Sequence, residues 1–407
     1  MHLDVRTRRD DEIRTVDPAE LLDEELPAAF EAGAVPLEPG VRWLDPPPLV
    51  VEVDGEAWTL ACDDGRVTVR RGAHAEQRLT LSGQMLADLV VDLVTPMAWF
   101  ISGRLDTTAR LERLLDWWVL LRGAIDGRTP HVPGPEMALT FDGPDGGPLD
   151  LARSFRPDDD PAEVSHFLAT AGFVHLEGVF TEDEMAAVSA DMDAAAPTYS
   201  PGDGRSWWAR TGDGADRLVR MQGFDEHSPT LVELLGEERF LGLGKLGGAG
   251  YEFGEFGPNR IEALVKPIGV VEGISDVPWH KDCANGRHSY DCCSLTVGIS
   301  VTGADAESGQ LRVVAGSHRV LVWPAFVRKG QDLPIVDLPT RTGDVTIHLS
   351  CTSHMAQPPV RRERRVLYTG FSLPAPDPEA QARGKARLRQ DREAAPLIVS
   401  QQPATPA

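Results

Sequence analysis

The sequence predicts a two-domain protein: a small α/β domain, then a larger α+β domain built around an antiparallel sandwich or barrel. Residues 1–128 combine hairpin turns with amphipathic helices, and residues 161–374 carry short strands separated by Gly, Pro and Asp. Residues 129–160 are rich in Pro, Gly and Asp, which break the periodicity of both helices and strands. We therefore interpret this segment as a linker. Residues 375–407 contain few large apolar side chains and are predicted to be a tail with a helical fragment.

The first domain is predicted to begin with a helix. Asp17 can cap it, Pro18 occupies the first helical position, and Glu20 lies three residues after the cap. Pro27 shortens or kinks this helix because proline has no amide hydrogen to donate. Strands follow, joined by Asp-Gly hairpin turns, at 49–54, 56–62, 67–70 and 79–81.

Two further helices and one more strand complete the first domain. Ser82 can cap a helix that buries Leu86, Leu89 and Leu93. The segment 102–105 is predicted to be a short strand. The last helix spans 111–125, where apolar side chains recur at the i, i+3, i+4, i+7 spacing of one buried face.

The second domain has a mixed pattern. A capping box at 181–184 (TEDE) predicts the start of a helix. Short strands separated by turn residues then predict an antiparallel sandwich or barrel. They lie at 295–301, 311–314, 334–338, 344–349 and 364–373.

The composition excludes some classes of function. The chain of 407 residues has 40 Lys and Arg against 63 Asp and Glu, a net charge of −23. Such an acidic protein is not expected to bind nucleic acid or an anionic membrane over a broad face. Its five cysteines, an odd number without a CxxC pair, predict reduced thiols and a cytoplasmic location. We expect neither a signal peptide nor a membrane span.

His280 and Asp282 are the strongest candidates for metal ligands. On a strand, two residues at this spacing point to the same face, so both can reach one ion. A third ligand must come from a distant strand, and His348 and His354 both follow the Gly-Asp pair at 343–344. Two imidazoles and one carboxylate form the facial triad of non-haem Fe(II) oxygenases, which leaves three positions for a bidentate co-substrate and O₂.

Four sequence blocks resemble the phytanoyl-CoA dioxygenase family of Fe(II)/2-oxoglutarate oxygenases. In the family's order they are 171–174 (AGFV) before the helix at Thr181, 280–282 (HKD), 309–319 (GQLRVVAGSHR), and 343–344 (GD) with His354 and 364–367 (RRVL). The resemblance implies a double-stranded β-helix, or jelly-roll, fold for residues 161–374. The sequence departs from the family's pattern at Ala315, where proline is usual, and over 354–359 (HMAQPP).

The resemblance also implies which residues bind iron. His280, Asp282 and His354 would be the ligands, because the family's distal histidine lies ten residues after the Asp of the 343–344 pair. His348 would then be a residue that packs in the preceding strand or supports the ligands from behind. The implied cofactors are Fe(II), 2-oxoglutarate and O₂.

The same resemblance assigns Arg364 to the distal carboxylate of 2-oxoglutarate. A planar guanidinium can form two parallel hydrogen bonds with a carboxylate, which lysine cannot. Neighbouring strand residues face opposite sides, so Arg365 is expected to point away. His318 is expected to fix its loop through a hydrogen bond. For Lys266 we expect a solvated side chain, with a carboxylate partner as the alternative.

Residues 45–126 resemble the sterol-carrier-protein type of lipid-binding domain. The segment 79–125 carries the resemblance, through a short strand, a Ser-capped helix, the SGRL stretch at 102–105 and a final amphipathic helix. The resemblance implies an apolar tunnel under the sheet. Fusion to such a domain favours a hydrophobic or lipid-like substrate. The alternative is that aromatic side chains such as Trp99 and Trp118 fill an ordinary core.

The predicted function is hydroxylation of an unactivated C–H bond in a small hydrophobic or lipid-like molecule, with decarboxylation of 2-oxoglutarate to succinate. Asp282 favours hydroxylation, because halogenases of this type have a small residue at that position; desaturation and ring closure stay open. Two alternatives are a lipid carrier with an inactive oxygenase-like scaffold and another metal-dependent enzyme on the same barrel. The expected partner is a small-molecule substrate, not nucleic acid.

Overall fold

The computed structural model describes residues 16–374, apart from 93, 255–259, 274 and 283–293, together with Glu379. The predicted C-terminal tail, 375–407, otherwise lies outside the described residues, and so do residues 1–15. No helix in the described part of the chain is long and apolar enough to cross a membrane.

The first part of the chain contains six α-helices, one π-helical turn and five strands among its described residues. The helices are α1 (Pro18–Glu20), α2 (Leu26–Ala32), α3 (Ala34–Leu44), α4 (Gly83–Val90), α5 (Pro96–Ile101) and α6 (Leu111–Asp126). The strands are β1 (Leu49–Val53), β2 (Glu56–Asp63), β3 (Arg66–Arg71), β4 (Gln77–Leu81) and β5 (Asp106–Thr107).

These strands form one sheet in the order β3-β2-β1-β4-β5, in which β1 pairs antiparallel with β2 and parallel with β4. The β1–β2 hairpin turns through Asp54 and Gly55, whose φ angles of 48° and 92° match the left-handed turn that an Asp-Gly pair favours. Trp99 and Trp118 are each 1% exposed and belong to the hydrophobic core of this part. The aromatic side chains therefore fill a core, while the sterol-carrier likeness stays a prediction.

The first part differs from the expected elements in its first helix and at 102–105, and it contains two helices, α3 and α5, that were not predicted. The helix that Asp17 caps widens into a π-helical turn over Leu21–Glu25, and the amide of Leu26 donates five residues back to Leu21. Pro27, which has no amide hydrogen to continue an α-helical pattern, lies two residues after this turn. The predicted strand at 102–105 is wrong.

The end of α5 explains that error. The amides of Arg104 and Leu105 both donate to the carbonyl of Trp99, at 2.9 and 3.2 Å, so these residues close a helix end. Strand β5 begins only afterwards. Pro96 at the first position of α5 is a helix-start signal that the sequence carries.

Residues 129–160 form no long helix or strand, but they are tied to the second part of the chain. Pro130 bridges to Leu321, and Phe155 bridges to Leu176. His131 Nε2 lies 2.9 Å from Asp332 Oδ1. The predicted linker therefore runs along the surface of the second part.

The second part contains four described α-helices and twelve described strands. The helices are α7 (Pro161–Ala171), α8 (Glu182–Ala195), α9 (Pro229–Leu235) and α10 (Glu238–Leu241). The strands are β6 (Phe173–Leu176), β7 (Ser206–Thr211), β8 (Asp216–Gln222), β9 (Glu252–Phe253), β10 (Glu262–Lys266), β11 (Val270–Glu272), β12 (Ser294–Ser300), β13 (Leu311–Val314), β14 (Ile335–Leu338), β15 (Val345–Leu349), β16 (His354–Ala356) and β17 (Arg364–Ser372).

These strands form two antiparallel sheets in a jelly-roll-like arrangement. The larger sheet has the order β11-β7-β8-β10-β17-β12-β15-β6, with β9 also paired to β17, and the smaller one has the order β14-β13-β16. The five predicted strands correspond to β12, β13, β14, β15 and β17, with ends that agree within one residue. Strands β7, β8, β10 and β11 were not predicted.

The larger sheet has one apolar and one polar face, and this division positions the site. Ala263, Val297 and Leu367 lie on the apolar face and belong to the hydrophobic core. Residues one position away, such as Thr296 and Tyr368, lie on the other face because side chains alternate along a strand. The polar face therefore lines the interior in which the candidate ligands meet.

Candidate metal centre

The structure brings His280, Asp282 and His354 together. Nε2 of each histidine lies 3.5 Å from Asp282 Oδ1, and the two imidazole centroids are 4.3 Å apart. One donor atom from each of the three residues fits within 4.8 Å of the others. Within the described residues, this is the one group of three or more His, Cys, Asp and Glu side chains arranged in this way.

The backbone holds the three residues by a different route from the regular strand that the spacing predicts. His280 forms an isolated bridge with His354, and their amides and carbonyls exchange hydrogen bonds of 3.0 and 2.9 Å. Asp282 lies in a helical turn, and its amide donates to the carbonyl of Ser350 at 2.9 Å. A helical turn at Asp282, rather than regular strand alternation, thus places the carboxylate beside both imidazoles.

Hydrogen bonds orient both imidazole rings. Nδ1 of His280 lies 2.7 Å from the carbonyl of Pro278, and Nδ1 of His354 lies 2.9 Å from that of Thr352. A carbonyl only accepts, so each Nδ1 carries the proton and each Nε2 keeps its lone pair. Metal-binding histidines are fixed by this kind of bond, and both lone pairs are directed towards the centre of the group.

The charges in the group suit a cation. Burial raises the pKa of Asp282, but the neighbouring His354, His280 and His348 outweigh the effect of burial and hold that pKa below its usual range. Burial and the nearby histidines lower the pKa of His354 well below its ordinary value. The group therefore offers a carboxylate and a neutral imidazole, the forms that bind metals.

A further hydrogen bond fixes the second oxygen of the carboxylate. Thr296 Oγ1 donates to Asp282 Oδ2 at 2.6 Å, which leaves Oδ1 facing the two imidazoles. Adjacent donors on an octahedral ion with bonds of about 2.1 Å lie about 3 Å apart. The two Nε2–Oδ1 distances of 3.5 Å approach that value. The donor set and its spacing fit an iron ion.

His348 lies behind His354. It is 1% exposed, near the end of β15, and its ring centroid is 4.0 Å from that of His354. Its Nδ1 lies 3.2 Å from the carbonyl of Leu349. His348 thus packs on the predicted ligand, as expected for a residue of the preceding strand.

Arg364 and Arg365 face opposite sides of β17. Arg364 is buried on the polar face, where Nη1 donates to the carbonyl of Gly309 and Nη2 lies 3.4 Å from the hydroxyl of Tyr368. Its Nε is buried without a hydrogen-bond partner in the described part of the chain. Arg365 instead contacts Asp193 of α8, with Nη2 at 2.8 Å from Oδ1.

The expectation that Lys266 is solvated is wrong, and its alternative, a carboxylate partner, is found. Lys266 is 1% exposed, and its Nζ donates to the carbonyl of Ser275 at 2.7 Å and to Asp276 Oδ1 at 3.3 Å. It lies opposite Arg364 in the β10–β17 register, on the same face. Burial and the charge of Arg364 lower the pKa of Lys266 to about 7.

Sequence reasoning also missed a polar group farther along this face. Arg220 of β8 stacks on Trp207 at 4.0 Å, and its Nη1 lies 3.4 Å from Glu262 Oε2. The register places Glu262 opposite Tyr368 and Leu264 opposite Arg220. These residues therefore share the face that carries Arg364. Charged residues inside a strand resemble solvent-exposed positions, so the sequence alone gave no signal.

Two predictions about the 309–319 block can be compared with the structure. His318 Nε2 lies 2.9 Å from the carbonyl of Ala169, so His318 fixes its loop as expected. Ala315 is buried, and its amide donates to the carbonyl of Pro334 at 2.8 Å. Proline cannot donate this bond, which gives a physical reason for alanine at a position where the phytanoyl-CoA dioxygenase family usually has proline.

Comparison with known proteins gives one family match. Residues 168–365, just under half of the chain, match the phytanoyl-CoA dioxygenase (PhyH) family. All three predicted metal ligands and Arg364 lie within the matched range. No curated protein matches the chain.

Several solved structures are distantly similar. AviO1 from Streptomyces viridochromogenes Tue57 is 20% identical, with 54% of this chain and 97% of that chain covered and a TM-score of 0.40. The α-ketoglutarate-dependent epimerase SnoN from nogalamycin biosynthesis is 22% identical, with 52% and 82% covered and a TM-score of 0.41. EctD from S. alaskensis, solved with 2-oxoglutarate and 5-hydroxyectoine, is 17% identical, with 55% and 80% covered and a TM-score of 0.41.

The family match and the residues themselves establish the enzyme class. The matched range carries two imidazoles and one carboxylate whose donor atoms lie within 4.8 Å of one another, and this is the donor set of a facial triad. This combination indicates a non-haem iron enzyme that depends on 2-oxoglutarate and O₂.

Proposed function

We propose that this chain, a non-haem iron enzyme with a PhyH domain over residues 168–365, hydroxylates an unactivated C–H bond of a small molecule and converts 2-oxoglutarate to succinate. His280, Asp282 and His354 hold Fe(II) in this proposal. The observation that carries it is the orientation of two Nε2 lone pairs towards one carboxylate oxygen, each imidazole being fixed by a carbonyl at its Nδ1.

The iron, when bound with 2-oxoglutarate and O₂, supplies the oxidising chemistry. The protein contributes the ligand geometry and the surroundings. Thr296 holds Asp282 through its Oδ2, which favours binding of the ion through Oδ1 alone. A carboxylate at this position occupies a coordination site that a halide would need, so hydroxylation is the proposed outcome.

Arg364 binds the distal carboxylate of 2-oxoglutarate in this proposal. Its guanidinium is buried, its Nε has no partner in the described residues, and its contact with Tyr368 is long at 3.4 Å. It therefore keeps donors for a carboxylate. Lys266 shares the face, so a bound carboxylate would also compensate a second buried cation.

The substrate is proposed to have an apolar body and at least one polar group. The sterol-carrier resemblance of residues 45–126 supports a hydrophobic or lipid-like molecule. The polar face of the larger sheet also carries the Arg220–Glu262 pair, which can donate to and accept from a polar substituent. A cytoplasmic location is part of the proposal, supported by the free thiol of Cys62.

The experiment is an anaerobic titration of the metal-free protein with Fe(II) and 2-oxoglutarate, with His280→Ala as the control. A visible charge-transfer band in the wild type and its absence in the variant are expected. Succinate release would then be screened with apolar and amphipathic compounds. A wild type that shows no band would contradict the proposal, and would favour an inactive scaffold or another metal-dependent enzyme.

A further inference from the structure

A buried carboxylate of the first part of the chain contacts the second part. Asp116 lies in α6 and is 1% exposed. Its Oδ1 accepts hydrogen bonds from Trp323 Nε1 and Arg328 Nε, both at 3.0 Å, and its Oδ2 accepts one from Arg113 at 3.1 Å. Burial raises the pKa of Asp116, while Arg328 opposes the increase. A buried carboxylate is tolerated only when it is paired, so this contact constrains both sides.

Trp323 and Arg328 belong to a segment, residues 321–332, that we call the strap. Leu321 and Trp323 are part of the hydrophobic core of the first part of the chain. The guanidinium of Arg328 lies 4.2 Å from the ring of Trp43, and its Nη2 donates to the carbonyl of Leu44 at 3.2 Å. The strap is therefore held by apolar packing, an ion pair and a cation–π contact at once.

The backbone of the strap also pairs with the segment that carries His280. The amide of Phe326 donates to the carbonyl of Trp279 at 2.7 Å, and the amide of Lys281 donates to that of Pro324 at 3.1 Å. His280 itself bridges to Ala325. The strap thus lies next to His280, the first predicted ligand, which precedes Asp282 by two residues.

The strap contains a strained residue at this point. Phe326 has a φ of 62°, in the left-handed region that a bulky side chain rarely adopts. Such a conformation persists only when the surroundings hold it. The Phe326 side chain packs against the hydrophobic core of the first part, which supplies that support.

We propose that the first part of the chain serves to hold the strap, and that Asp116 is a positioning residue for the metal centre. Through Trp323 and Arg328, Asp116 keeps the strap against residues 279–281 and so keeps His280 and Asp282 in the geometry that binds the ion. This role rests on the proposed function, because it takes these two residues as iron ligands. It gives the first part a role that needs no bound lipid.

The test uses Asp116→Ala in the full chain, with Arg113→Ala as the matched control. Arg113 lies in the same helix as Asp116 and bonds the other oxygen of its carboxylate, Oδ2. Two readouts are measured: hydrogen exchange of the Lys281 and Phe326 amides, which pair across the strap, in the metal-free protein, and the Fe(II) dissociation constant by anaerobic equilibrium dialysis. Asp116→Ala is expected to speed exchange at these amides and to weaken Fe(II) binding about tenfold, the lower end of the effect of residues that orient metal ligands.

Arg113→Ala is expected to change neither readout by more than about twofold. Trp323→Phe keeps the packing and removes only one hydrogen bond to Asp116, so it decides the matter if Asp116→Ala does not fold. Unchanged exchange and Fe(II) affinity in Trp323→Phe and in folded Asp116→Ala would overturn the proposal. If the wild type binds no Fe(II), the proposed function fails, while the exchange data still decide whether Asp116 holds the strap.

Discussion

Replacing Arg364 with alanine should selectively weaken the use of 2-oxoglutarate. The side chain is 3% exposed and lies on the polar face of the larger sheet. A hydrogen bond to a charged group contributes about 1.5–3 kcal/mol. Loss of two such bonds costs about 3–6 kcal/mol, and about 1.4 kcal/mol corresponds to a factor of ten. We therefore expect the KM for 2-oxoglutarate to rise roughly 10²–10⁴-fold.

Arg365→Ala is the matched control, because the two arginines are neighbours with the same chemistry and opposite directions. The Arg365 side chain is 21% exposed and pairs with Asp193, which is 68% exposed. Loss of such a surface pair should reduce the free energy of unfolding by less than about 1 kcal/mol. The KM for 2-oxoglutarate should stay within about twofold of the wild-type value.

The assay is succinate release at varied 2-oxoglutarate, together with the charge-transfer titration, which measures binding separately from turnover. Arg364→Lys keeps the charge without the planar fork and should give an intermediate KM. Circular dichroism checks folding, because Arg364 also donates to the carbonyl of Gly309. A larger effect from Arg365→Ala, or an unchanged KM in folded Arg364→Ala, would refute the assigned face of β17.

Three further predictions concern the centre and its neighbours. His354→Ala should abolish Fe(II) binding in anaerobic dialysis. His348→Ala should only weaken Fe(II) binding, because His348 stacks on His354. A larger loss of binding in His348→Ala than in His354→Ala would exchange the roles of the two histidines. Thr296→Val should weaken Fe(II) binding about 10–100-fold through loss of the bond to Asp282, and an unchanged affinity would contradict this. The pKa of Lys266 is lowered to about 7, so above that pH the unfolded chain binds more protons than the folded chain. Between pH 7 and 9 the free energy of unfolding of the wild type should therefore rise by about 2 kcal/mol relative to that of Lys266→Met. Urea unfolding measures this difference.

Much of the β-structure around the centre was predictable because one face of each strand packs into the core. Strands β12 and β15 carry Val297, Ile299 and Ile347 on the face that packs against apolar neighbours. Their alternation is visible in the sequence, and Gly, Pro and Asp mark their ends. The candidate site was recognisable for a similar reason, since each ligand lies in a short motif with a fixed spacing.

The other strands were not predictable, because their interior faces are polar. Arg220 of β8 and Glu262 of β10 are charged residues that point to the interior. The alternation of polar and apolar residues would therefore assign these positions to the solvent-exposed face of each strand. Lys266 was misjudged for the same reason. Its neighbour Arg364 is 98 positions away in sequence, and only the β10–β17 register brings the two cations together.

The ten-residue spacing between Asp344 and His354 has a physical basis in the structure. Asp344 is fixed by His175 Nε2 at 2.9 Å and by the amides of Gly178 and Arg341 at 2.8 and 2.7 Å. Strand β15 begins at the next residue, runs for five residues, and is followed by a turn in which the amide of Thr352 donates to the carbonyl of Leu349 at 2.8 Å. β16 then begins at His354.

The two ends of this segment are therefore fixed, one by the buried carboxylate of Asp344 and the other by pairing of β16 with β13. Adding or removing one residue between them would turn the imidazole to the opposite face of β16. His348 lies one short turn earlier and is fixed in β15, where its backbone pairs opposite Thr296. The spacing thus selects His354. Of the two histidines, only His354 lies beyond the turn that carries the chain from the larger sheet to the smaller one.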